Sequence, residues 1–271
     1  MSRRWLQAAW QAALGAALLV LAGCAAPPKP AEQGPTSSSS RPAEPGDPDR
    51  RARVRLELAG LYFGRGQNET ALAEINTALA AKSDLPEAYA LRGLVQAAMG
   101  DARPAEDSFR RAMQLAPNDG GTMHLYGWFL CQERRFPEAE AQFDKALEQP
   151  QYRDIVRTWL AKGLCQARAG RWQDAERTLS RAYELDPANP VTAFNLSEVL
   201  LRRGELERAR FYIRRVNAVA EQSNAQTLWL AVRIERRLGN IDGMQDLGRQ
   251  LRERFPQSPE TLLYERGRFD E

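Results

Sequence analysis

The sequence predicts an all-α fold, a right-handed superhelical solenoid of six helix-turn-helix repeats. Three observations predict it. One pattern recurs at a period of about 34 residues, clearest in YALRGLVQAAMGDARPAEDSFRRAMQLAP (Tyr89 to Pro117) and WLAKGLCQARAGRWQDAERTLSRAYELDP (Trp159 to Pro187). Corner residues recur in register: Gly66, Gly100, Arg134, Gly170, Gly204 and Gly239, at spacings of 34, 34, 36, 34 and 35. Glycine accepts positive φ cheaply, so it suits the tight turn between two helices, and each glycine of the repeats is read as such a corner. Apolar residues fall at helical spacing on both sides of these corners from Arg50 onward.

The repeats run over 52–85, 86–119, 120–155, 156–189, 190–224 and 225–258. Five residues after each corner stands a small residue where two helices cross closely: Ala71, Ala105, Ala139, Ala175 and Ala209, with Met244 in the last copy. Ala78, Ala112, Ala146 and Ala182 follow seven residues later, then the larger Val216 and Leu251. Between the two rows sits an apolar knob, Ile75, Phe109, Phe143, Leu179 or Ile213, replaced by Gly248 in repeat six. Pro117, Pro187 and Pro256 stop second helices, because proline cannot donate to the helix ladder. Residues 259–271 read as the cap that closes the open end of a solenoid. This register is that of the tetratricopeptide repeat, which it resembles over most of the chain. Repeat stacks of this kind offer a long concave surface, and the expected function is to hold another protein.

The start of the chain reads differently. Residues 1–23 carry Arg3 and Arg4, an apolar run from Ala12 to Ala22 and small residues at the end, the layout of a secretory signal. An uncleaved helical anchor or an ordinary signal peptide is the plainer alternative. Leu21-Ala22-Gly23-Cys24 resembles a bacterial lipobox, which makes Cys24 the expected lipidation site. Ala25 follows it rather than Asp, as in the class sorted to the outer membrane. Residues 24–49 are rich in Pro, Ser and Glu and too poor in large apolar residues to offset ordering entropy, so they are expected to form a disordered tether. Of 38 Lys and Arg, Arg3 and Arg4 fall in the signal, leaving 36 against 35 Asp and Glu. The mature part is near neutral, and without a basic block interleaved with aromatics it is not expected to bind nucleic acid.

No constellation for chemistry stands out. His124 is the only histidine, which excludes a multi-histidine metal site and argues against a histidine triad. Carboxylates such as Glu138, Glu140, Asp174 and Glu176 are read as solvated partners at i,i+4 spacing. No enzyme activity, cofactor, metal or small-molecule substrate is expected. Cys131 and Cys165 fall on the first helices of adjacent repeats, which pack at about 8–10 Å. A disulfide and two buried free thiols both fit that placement.

Inward positions on the first helices define the expected groove: Leu56, Phe63, Leu94, His124, Trp128, Leu160 and Leu164, with Arg157 beside them. Its early part is apolar and its later part more charged, through Arg168, Glu198 and Arg202. An apolar groove suits an amphipathic or extended segment of a partner. The alternative is that these residues pack against neighbouring helices.

The central stretch is more specific. Tyr126-Gly127-Trp128-Phe129-Leu130-Cys131, Phe136-Pro137-Glu138-Ala139-Glu140, Ala146-Leu147, Tyr152 and Gly163-Leu164-Cys165 resemble the type IV pilus biogenesis lipoproteins called PilF or PilW. That family commonly has Asn-Asn where His124-Leu125 stand here. The resemblance implies a pairing of Cys131 with Cys165. It also implies an outer-membrane, lipid-anchored scaffold with its repeats in the periplasm, a pilotin that helps the pilus secretin localise, multimerise or remain stable. A periplasmic adaptor for cell-wall hydrolases and a subunit of an outer-membrane protein insertion machine are the rival readings.

Overall fold

The computed structural model describes residues 47–269; the signal segment, Cys24, the tether up to residue 46, and Asp270 and Glu271 lie outside them. The described residues form six antiparallel helix pairs and a final short helix. The pairs are α1 (Pro48–Gly64) with α2 (Asn68–Ala81), α3 (Pro86–Met99) with α4 (Ala102–Leu115), α5 (Gly120–Gln132) with α6 (Phe136–Leu147) and α7 (Ile155–Arg168) with α8 (Trp172–Leu185). Then come α9 (Pro190–Arg203) with α10 (Leu206–Asn217), α11 (Ala225–Arg237) with α12 (Ile241–Arg254), and α13 (Pro259–Glu265).

Local chemistry starts and stops these helices. Asp47 accepts from the Asp49 N–H, and Pro48 at the first position gives up no helical hydrogen bond, so α1 begins two residues before the apolar pattern does. Asp119 caps α5 through the Gly121 and Thr122 N–H groups, both at 3.1 Å. Asn224 and Thr227 form a reciprocal capping box on α11. At the corners, Gly66, Gly100, Gly170, Gly204 and Gly239 all have positive φ, and Arg134 adopts φ 61° in the same slot.

The knobs of the second helices are in the interior. Ile75, Phe109, Phe143 and Leu179 are fully buried, as are the flanking Ala71, Ala105, Ala139 and Ala175. Each such large side chain contributes about 1.5–3 kcal/mol by leaving water. The space they need is made by glycines inside the first helices. A Cβ on Gly93 would stand 2.9 Å from the Phe109 ring, one on Gly127 2.9 Å from the Phe143 ring, and one on Gly163 2.6 Å from Leu179 Cγ. The reading of every repeat glycine as a corner is corrected here: these three lie in mid-helix and set the helix–helix approach. In α9 the same place is taken by Ser197, whose hydroxyl donates to the Ala209 carbonyl at 2.8 Å.

Repeat six solves its missing knob differently. Gly248 on α12 is buried against the Tyr264 ring, which α13 supplies. The cap therefore fills the volume that the repeat itself leaves open. The backbones of first helices of successive repeats approach one another, whereas those of second helices stay farther apart and meet through long side chains, as where Arg208 of α10 reaches Glu176 of α8 at 2.6 Å and Tyr183 meets Tyr212 with ring centroids 4.9 Å apart. The stack thus curves toward α1, α3, α5, α7, α9 and α11, and these helices line its inner side.

Gly163→Ala is expected to destabilise the protein by about 1–3 kcal/mol in urea unfolding, because Leu179 must leave its rotamer or the helices must part. Gly60→Ala, which meets nothing within 4 Å, is expected to be neutral or slightly stabilising. Equal effects would show that the crossing is loose.

Candidate functional site: the inner groove

The inner side begins apolar. Leu56 and Phe63 on α1 are half-buried and pack on the core of repeats one and two with one side only. Leu94 on α3 and Trp128 on α5 do the same over the Phe109–Phe129–Phe143 cluster, and Leu160 on α7 over the cluster that follows. Each of these residues packs against a core cluster and keeps part of its surface exposed.

Leu164 is half-buried and lines a cavity of about 280 Å³ with Ala167, Arg168, Trp172, Glu198 and Arg202. The Trp128 ring lies beneath the Arg168 guanidinium, 4.8 Å from its centroid, and Arg168 also donates to Gln132. A cation over an indole face is worth about 0.5–1 kcal/mol when exposed, enough to bias one side-chain arrangement. Arg157, one helical turn before Ala161 on α7, is exposed.

His124 is corrected. It is 4% exposed and is an interior group, not a groove residue. Its Nδ1 is 2.9 Å from the Thr158 hydroxyl, which the Tyr152 hydroxyl also meets at 2.7 Å. Its ring packs 5.9 Å from that of Phe143. Tyr152 reaches this point from the α6–α7 loop by covering Gly120, where a Cβ would stand 2.7 Å from its ring. Burial, and secondarily the charge of Arg157, push the His124 imidazole down to about 4, against the pull of Asp154. A neutral histidine thus glues repeat three to repeat four.

A disulfide joins Cys131 on α5 to Cys165 on α7, with Cα atoms 5.8 Å apart. Both residues are buried, at 1% and 0% exposure. The bridge lies three residues beyond Trp128 and one beyond Leu164, so it fixes the two helices that carry the middle of the groove.

The far end of the groove is cationic. Arg233, Arg236 and Arg237 on α11 stand with Leu201 and Arg202 of α9 and with Phe269 around a cavity of about 320 Å³. Phe269 arrives by a turn at Gly267 (φ 67°), stacks on Trp229 at 5.6 Å, and lies 4.1 Å beneath the Arg236 guanidinium. Arg233, Arg236, Arg237 and Phe269 were not among the residues that the sequence singles out. Register alone would have found the arginines, since they repeat the positions of Glu198, Leu201 and Arg202 one copy later. Phe269 gives no such signal.

Deeper in the same region Glu235 is 3% exposed. Burial alone would raise its carboxyl, but hydrogen bonds from Asn240 and Arg210 and the charges of Arg210 and Arg214 outweigh it, and the group is held below the usual carboxylate range. Arg210 and Arg214 belong to α10, so this buried anion ties repeat five to repeat six. Among the described residues no group of three His, Cys, Asp or Glu could hold a metal ion, and no helix is long and apolar enough to cross a membrane.

Comparisons with known proteins agree with this architecture. Tetratricopeptide-repeat family profiles match residues 86–119 and 166–230. The type IV pilus assembly protein PilF of Pseudomonas aeruginosa is 25% identical over 214 residues, which is 79% of this chain and 84% of that protein. The crystal structure of PilW, described as a widely conserved type IV pilus biogenesis factor, superposes with a TM-score of 0.73 at 29% identity, covering 79% of this chain and 97% of PilW. The structure of P. aeruginosa PilF superposes with a TM-score of 0.69 at 22% identity, over 82% of this chain and all of that one, and supports the fold.

His124 makes stability depend on pH. Folding lowers its pKa to about 4, well below the 6.5 of a solvent-exposed histidine. The neutral ring's contribution is therefore complete above pH 6.5 and is lost as pH falls toward 4, by an amount on the order of 3 kcal/mol. His124→Gln should flatten the stability curve across that window relative to wild type; parallel curves would show that the imidazole is not buried neutral. For the disulfide, thiol counting on the denatured, unreduced protein should find neither Cys131 nor Cys165 reactive. Reduction should cost about 3–4 kcal/mol, given a cross-link between residues 34 apart. Two reactive thiols would refute the bridge.

Proposed function

Because this chain is a tetratricopeptide-repeat protein homologous to the type IV pilus assembly protein PilF, we propose that it is a pilotin-like lipoprotein of type IV pilus biogenesis. In this reading it is a non-enzymatic scaffold. Cys24 carries the lipid that holds it to the outer membrane, with two or more acyl chains giving stable anchorage. The tether gives it reach, and the repeats stand in the periplasm. There the inner face of the early repeats takes a segment of the pilus secretin and assists its localisation, multimerisation or stability.

The observation that carries the proposal is the half-open apolar row Leu56, Phe63, Leu94, Trp128, Leu160 and Leu164 on the inner helices. Two of its members, Trp128 and Leu164, lie in the YGWFLC and GLC segments, which resemble the family most closely and whose two cysteines are bridged. A row packed on one side and open on the other is already ordered, so a partner loses little side-chain entropy in binding it.

Deleting the gene is expected to lower secretin oligomers and surface pili, and normal levels of both would sink the proposal. Trp128→Glu or Phe63→Glu is expected to weaken secretin binding at least about tenfold. Helical content and melting temperature should stay nearly unchanged. A large loss of stability in either variant would assign that residue to the core instead.

A further inference from the structure

The charge on the inner face is sharply uneven. Arg168, Arg202, Arg233, Arg236 and Arg237 line the groove from α7 to α11. Among the described residues, the carboxylate that pairs with them is Glu198, bound to Arg202 at 3.2 Å and to Arg233 at 3.3 Å. Arg236 and Arg237 have no ion pair among the described residues. They are nevertheless held in place. The Arg236 guanidinium carbon stands 4.1 Å over the Phe269 ring, and Arg237 donates to the Leu201 carbonyl at 3.0 Å. Phe269 is itself held by Trp229 and by the Arg233 Nε–H, which donates to its carbonyl at 3.3 Å.

Arginines stacked on a ring or tied by one N–H keep the rest of their donor fork available, and that fork matches a carboxylate two bonds at a time. A cluster of like charges costs stability through mutual repulsion unless something it recruits repays it. The two cavities share Arg202, so the cationic end continues directly into the apolar lining formed by Leu164 and Ala167.

We propose that this end of the groove is a binding site for an acidic peptide segment of a partner protein. Its carboxylates lie against Arg202, Arg236 and Arg237, and its adjoining apolar residues lie along Leu164 and Ala167. A peptide fits where a membrane does not, because the arginines sit on the inside of the curve between α9 and α11, and a flat bilayer cannot follow them there. The juxtaposition also fixes direction: an apolar-then-acidic segment binds in one orientation. This inference concerns the end of the groove opposite to the early repeats and does not require the partner to be a pilus component.

The test is fluorescence anisotropy on the full chain in mild detergent. The probe is a labelled peptide with a leucine-rich half and an Asp/Glu-rich half, and the control replaces its acidic residues by Asn and Gln. The acidic peptide should bind at least about tenfold more tightly than the control. That preference should fade as salt rises from about 50 mM to about 500 mM. The Arg236→Glu, Arg237→Glu double variant breaks no ion pair among the described residues and should lose the preference, with Arg236→Lys intermediate. If circular dichroism shows that the double variant is unfolded, Arg202→Gln and the salt series decide by the same criterion. Equal binding of the two peptides, or an unchanged preference in the folded variants, would overturn the proposal. So would phosphatidylglycerol vesicles binding through these arginines while the peptide does not, which would make the cluster a lipid contact.

Discussion

The structure depends on one constraint, the close crossing of the two helices within each repeat. Gly93, Gly127 and Gly163 leave no room for a Cβ over Phe109, Phe143 and Leu179. Each knob is fully buried between its own small neighbours and the facing glycine. Because the crossing repeats, each first helix packs beside the next, and the inner positions recur in register from α1 to α11. The groove is a consequence of that registration. A wider crossing in one repeat would rotate all the inner residues beyond it.

Much of this was legible in the sequence because the signals are periodic. Corner residues and the Ala–knob–Ala pattern recur about every 34 residues, and Arg134 occupies a glycine-like slot with φ 61°. What was not legible is aperiodic or non-local. The mid-helix glycines look like corners until their partner rings are known. His124 occupies an inward position of the pattern, yet it turns to Thr158 of the next repeat because the Tyr152 loop closes over that site. Gly248 looks like a lost knob until Tyr264 arrives from the cap. Phe269 completes the cationic end from outside any repeat. Each of these depends on a residue that the repeat pattern does not place.

The inner face combines two physical regimes. From Leu56 to Leu164 it offers half-buried apolar surface on a scaffold stiffened by the Cys131–Cys165 bridge and the neutral His124 contact. Beyond Leu164 it offers fixed cations backed by aromatic rings. Apolar surface supplies affinity with little orientation, whereas arginine forks supply orientation and electrostatic attraction. A single extended segment crossing both would be held in one register. A scaffold that must present another protein in a defined pose needs that property.

The central claim is that this groove holds the secretin of a type IV pilus. Affinity capture of the full chain from mild-detergent envelope extracts, with mass spectrometry of the proteins retained, tests it most directly. The account predicts recovery of the secretin. Recovery of cell-wall hydrolases or of subunits of an outer-membrane insertion machine, with no secretin, would contradict it while leaving the solenoid and its groove as described.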